Sequence, residues 1–134
     1  MTSTVKYLGD LRTSATHLGS KKTILSDAPV DNQGKGEAFS PTDLVATALA
    51  SCLLTIMGIK ARDMGVEIKG TTAEVTKVMK SAPRRISEIN ITVTAFSSFD
   101  QKTQTILEKA ALTCPVANSL HPNLKQNIRF IWPS

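Results

Sequence analysis

The sequence predicts an α+β fold. The signs are one long apolar helical segment with a clear start, short β-branched segments on both sides of it, and amphipathic helices before a last strand. The predicted order is β-β-α-β-β-α-α-β. A length of 134 residues suits one domain, and the hydrophobic share of 41% with only 4% aromatic residues calls for an aliphatic core.

The elements follow in order. Val5–Leu18 and Lys21–Ala28 carry β-branched residues, and the intervening Leu18-Gly19-Ser20 suits a turn, so the two segments read as a hairpin. Pro29–Pro41 is rich in Pro, Gly, Asn and Asp and reads as a loop long enough to serve a site or an interface. Ser40-Pro41-Thr42-Asp43 reads as a helix start. Ser40 is the N-cap, Pro41 the first helical residue, and Asp43 supplies the acid of a capping box. The helix is expected to run to Asp63. Leu44, Ala48, Ser51 or Cys52, Thr55 and Ile59 recur on one face, yet the remaining faces are apolar too. That pattern predicts a helix buried on most sides, with a partner subunit covering one of them.

Val66–Met79 and Arg84–Phe96 read as strands joined by Ser81-Ala82-Pro83. The step from Ile86 to Ile89 breaks alternation and predicts a bulge. Phe99–Thr113 reads as a helix with Ile106, Lys109 or Ala110, and Thr113 on one face. Pro115–Pro122 reads as a short helix and Asn127–Pro133 as a final strand.

The net charge is +5. The basic residues are scattered, with short clusters at Ser20–Thr23 and Lys80–Ile86, few aromatic side chains and no nucleic-acid motif, so no nucleic-acid partner is expected. No run of eighteen apolar residues occurs and the N-terminus lacks an apolar core segment, so no membrane association and a cytoplasmic location are expected. In that compartment a structural disulfide is unusual.

The cysteines are Cys52, inside the long apolar helix, and Cys114, directly before Pro115. Buried cysteines commonly serve as small hydrophobes. A thiol opening a helix faces free N–H groups and the positive end of the dipole, which makes Cys114 the expected more acidic thiol. Burial of Cys52 works against its ionisation unless a neighbour stabilises the thiolate. Zinc would need His17 and His121 as well, but the four residues lack metal-ligand spacing, so no metal and no other cofactor is expected.

The segments "FSPTDLVATALASCLLTI" and "ALTCPVANSLHPNL" together resemble the osmotically inducible protein C / organic hydroperoxide resistance (OsmC/Ohr) family, in its OsmC-like branch, and the likeness runs over nearly the whole chain. The resemblance implies an intertwined homodimer with long central helices buried between antiparallel sheets and active sites at the subunit interface. It implies a thiol-dependent peroxidase that reduces organic hydroperoxides and is recycled by an external dithiol reductant. Cys52 would be the peroxidatic nucleophile and Cys114 the resolving thiol. Hydroperoxide-active members carry an Arg in the N-terminal hairpin and a Glu near the start of the central helix. The family's Asn-Pro-Glu is Ser40-Pro41-Thr42 here. The acids nearby are Asp43 and Glu37. Asp43 precedes Cys52 by nine residues, roughly 13 Å along a helix, and also suits the capping box. The candidate cations are Arg12, Lys21, Lys22, Arg84 and Arg85. The alternatives are a binding module for a small apolar ligand and a redox sensor without turnover.

Overall fold

The computed structural model describes residues 1–134. The chain divides into two compact units, Met1–Val45 and Ala46–Ser134. Each carries a three-stranded sheet, and the protein is a mixed α+β fold.

In the first unit, β1 (Ser3–Gly9), β2 (Arg12–His17) and β3 (Thr23–Asp27) form an antiparallel meander. The segment Val5–Leu18, expected as one strand, is two. Asp10 and Leu11 both take positive φ, 54° and 62°, which turns the chain in two residues. Asp adopts that region readily, and the Tyr7 hydroxyl accepts the Leu11 N–H at 3.3 Å. The loop after β3 holds one 3-10 turn, Val30–Asn32. Gly34 is required there, because a Cβ would lie 1.8 Å from the Ala28 carbonyl oxygen. The loop returns to β3, where the Asp27 N–H donates to the Phe39 carbonyl at 3.0 Å.

Helix α1 (Pro41–Asp63) starts and stops where the sequence predicts. Ser40 Oγ accepts the Asp43 N–H at 3.1 Å, and the Asp43 carboxylate accepts the Ser40 N–H at 2.9 Å. At the other end Gly65 takes φ +70°, and the Val66 N–H reaches back to the Ala61 carbonyl at 2.9 Å. That is a Schellman stop. It also explains why the next strand starts late: Val66–Thr71 is spent on the stop and on a second turn, in which the Thr71 N–H donates to the Ile68 carbonyl at 3.0 Å.

The second unit is built on β4 (Thr72–Lys80), β5 (Arg85–Thr94) and β6 (Lys125–Ile131), in that order. β4 and β5 are antiparallel. The predicted bulge is present: Met79 pairs with Ile86 and Val78 with Glu88, leaving Ser87 as the extra residue. β5 and β6 are parallel, which corrects the expectation of antiparallel sheets. The reason is topological. α2 (Gln101–Ala111) and α3 (Pro115–Ser119) form a crossover that returns the chain to the same end of the sheet.

The core of this unit joins Leu49, Leu53 and Met57 of α1 to Ile89, Ile91 and Val93 of β5 and to Leu107 of α2. Two helix faces differ from expectation. On α1 the buried stripe is Ala46, Leu49, Ala50, Leu53, Met57 and Ala61, whereas Ile59, on the face read from the sequence, is 52% exposed. On α2 the buried residues are Leu107 and Ala111, and Lys109 is exposed. A helix apolar all round carries no phase, so periodicity cannot choose its buried face. α1 is also long and apolar enough to cross a bilayer by length and composition, with a mean hydropathy of 1.9 in its 18-residue window, although the sequence expectation was of no such segment.

The capping box gives a direct test. Ser40→Ala removes the oxygen that accepts the Asp43 N–H and is expected to cost about 1 kcal/mol. Urea unfolding checks it: the midpoint should fall with an unchanged slope, and an unchanged midpoint would contradict the assignment.

Candidate active site

Cys52 and Cys114, separated by 62 positions in sequence, meet in the second unit. α1 carries Cys52 midway along its length, one residue before buried Leu53, so the thiol packs at the margin of the core and is half-buried. Cys114 is the N-cap of α3 and is fully buried. Its extended backbone (φ −64°, ψ 146°) lets Sγ accept the Ala117 N–H at 3.4 Å, a cap made with sulfur in place of oxygen. Pro115 fits the first helical position because that position needs no N–H. Both thiols are free, and they lie close enough to interact through a side-chain hydrogen bond.

The acidity of Cys114 corrects the sequence expectation. Burial raises its pKa above the ordinary thiol value. The N–H groups of Ala117 and Val116 pull the other way, and the Cys52 neighbour adds to the rise. The cap site does favour the thiolate, but desolvation outweighs it. Cys114 is therefore a protonated thiol at neutral pH, ready to give up its proton only when its sulfur forms a bond. Cys52 combines access with that adjacent thiol.

The first unit gathers a separate charged cluster. Arg12 and Asp27 are direct partners in the β2–β3 register, and Arg12 Nη2 lies 3.3 Å from Asp27 Oδ2. Glu37, on the loop, places Oε2 2.9 Å from the same Arg12 nitrogen. Its backbone N–H donates to Asp27 Oδ2 at 3.0 Å. That N–H and the Arg12 charge hold the buried Asp27 carboxyl below the ordinary carboxylate range against the cost of burial, and the two acids hold Arg12 firmly protonated. Glu37, a candidate acid from sequence, is thus an ion-pair partner of Arg12. Asp43, the other, closes the capping box. Lys21 and Lys22 lie in the exposed turn before β3, and Arg84 and Arg85 in the β4–β5 connection and at the start of β5. Asp27 escaped sequence reasoning. Its only signal is the cross-strand register with Arg12, which cannot be read before the Asp10–Leu11 turn is known.

A mixed α+β chain with two three-stranded sheets and a thiol pair joining its long helix to a Cys-Pro helix defines a class. The profile of the OsmC-like protein family matches residues 34–129, and the chain belongs to that family. Among solved structures, the chain is similar to a Psychrobacter arcticus protein assigned to osmotic stress induction and the detoxification response. The identity is 64% with a TM-score of 0.94, covering 97% of this chain and 95% of that one. An OsmC-like protein of Mycoplasma pneumoniae shares 20% identity at a TM-score of 0.82, covering 98% and 96%. An organic hydroperoxide resistance protein of Legionella pneumophila shares 15% at 0.76, covering 98% and 97%. The last two show the shared fold. No match is found among curated proteins.

The difference between the thiols is open to measurement. With iodoacetamide at neutral pH, Cys52 is expected to alkylate about tenfold or more faster than Cys114, because thiolate fraction and access set the rate. Peptide mapping by mass spectrometry reads the order of labelling, and faster labelling of Cys114 would contradict its burial as a protonated thiol.

Proposed function

We propose that the protein is a thiol-dependent peroxidase that reduces organic hydroperoxides. The observation that carries the reading is the meeting of a half-buried Cys52 with a buried, protonated Cys114. The names of neighbours of the same fold, organic hydroperoxide resistance proteins of Legionella pneumophila and Elizabethkingia anophelis, support it.

The Cys52 thiolate attacks the terminal oxygen of the hydroperoxide. The O–O bond breaks, Cys52 becomes a sulfenic acid, and the alkoxide takes a proton and leaves as the alcohol. The Cys114 sulfur then attacks the sulfenic sulfur. An S–S bond forms, and the departing hydroxyl takes the Cys114 proton to leave as water. An external dithiol reduces the disulfide by exchange and is itself oxidised. The apolar residues packed round Cys52 favour an alkyl hydroperoxide over hydrogen peroxide. The setting is a reducing one such as the cytoplasm, where both thiols rest reduced.

In this reading the working form is a homodimer. Val45 and Ile59 on α1 leave an apolar stripe exposed. In the first unit Val5, Tyr7, Ile24 and Leu25 are more than half exposed. Surfaces of this kind mark interfaces.

Steady-state assays with cumene hydroperoxide and excess dithiothreitol test the reading. Cys52→Ser is expected to lose turnover by about three orders of magnitude or more, since no other group supplies the nucleophile. Cys114→Ser is expected to retain one fast sulfenic acid event and lose turnover through the intramolecular disulfide. Full activity in Cys52→Ser would overturn the proposal.

A further inference from the structure

The basic cluster at Lys80–Ile86 has no part in the thiol chemistry, and its arrangement is unusual. Lys80 and Arg85 are direct cross-strand partners at the end of the β4–β5 ladder. Directly opposed residues hold their Cβ atoms roughly 4.5–5.5 Å apart on one face, and like charges so placed repel. Neither side chain has an acidic partner. The Arg85 guanidinium is fixed through Nη1, which donates to the carbonyls of Ser81 at 3.0 Å and Pro83 at 2.8 Å. Its remaining N–H groups are left for another acceptor.

The two cations border a cavity of about 730 Å³, within the range of small-molecule sites. The parallel pairing of β5 and β6 creates it. The first β5–β6 partners are Glu88 and Lys125, so the first residues of β5, Arg85–Ser87, and the segment entering β6, His121–Leu124, meet at one end of the sheet. His121 and Asn123 add polar groups to the wall. His121 Nδ1 accepts the Asn123 N–H at 3.0 Å, which places the proton of the neutral ring on Nε2 and makes that nitrogen a donor. Ile86, Leu124 and Pro83 supply an apolar floor. No carboxylate lines the cavity.

We propose that this groove binds an amphipathic organic anion, with an oxyanion head between Lys80 and Arg85 and a short apolar body on Ile86 and Leu124. An anion there meets two positive charges on adjacent strands, neither of which has an ion-pair partner in the chain. The site is independent of the thiol reaction, so Cys52→Ser leaves it intact.

Titration of the full-length protein with octanoate, octanol and inorganic phosphate, followed by amide NMR, tests the assignment. Octanoate is expected to saturate one site and to shift the amides of residues 80–87 and 121–124, with octanol inert there and phosphate weaker. Lys80→Gln is expected to weaken octanoate about tenfold through loss of a charge-assisted contact. Arg84→Gln, which removes the same charge from the same turn outside the cavity, should change it little. Ile86→Ser should weaken octanoate and leave phosphate unchanged. Shifts confined to other residues, equal weakening by Lys80→Gln and Arg84→Gln, equal affinity for phosphate and octanoate, or no saturable binding would each overturn the proposal.

Discussion

The packing of the α1 stripe Leu49, Leu53 and Met57 against Ile89, Ile91 and Val93 is the constraint on which the thiol pair depends. These side chains are fully buried or nearly so, and the close packing of an aliphatic core allows each little freedom. Cys52 precedes Leu53 on the helix, so the depth of Leu53 sets the depth of Cys52. Cys114 belongs to the same cluster. One hydrophobic contact surface thus fixes both sulfurs, which are far apart in sequence.

The thiols differ because that surface treats them differently. Cys114 sits where a helix N-terminus favours the thiolate, but it is also in the driest part of the unit. Desolvation scales with burial, whereas one sulfur cap and the dipole of a five-residue helix supply little. Cys52 sits at the margin and is only half-buried. An accessible sulfur backed by a buried protonated one suits a nucleophile and a resolving thiol in sequence. The first unit shows the same competition with another outcome. Asp27 is also buried, yet a backbone N–H and the Arg12 guanidinium overcome the burial and keep it ionised.

Much of this was legible in the sequence where one local rule decides. Ser40-Pro41-Thr42-Asp43 marked the start of α1, and the Ile86-to-Ile89 step the bulge at Ser87. The family likeness, carried by the segments around Cys52 and Cys114, is confirmed by the profile match. The rest was set by tertiary choices. The apolar residues of α1 lie on all sides, and only the facing sheet selects which stripe is buried. The direction of β6 depends on where the α2–α3 crossover returns, which no strand pattern encodes. Asp27 gained its partner only through the register that the Asp10–Leu11 turn imposes, and the acidity of Cys114 was misjudged because burial is not a local property.

A redox couple and packing sulfur differ in what hydroperoxide does to Cys52 and Cys114. The most direct measurement is the intact mass and free-thiol count of the reduced protein after one equivalent of cumene hydroperoxide. Loss of two hydrogens and of both thiols, with a peptide linking the two cysteines, is the predicted result. Two unchanged thiols with hydroperoxide remaining would contradict it.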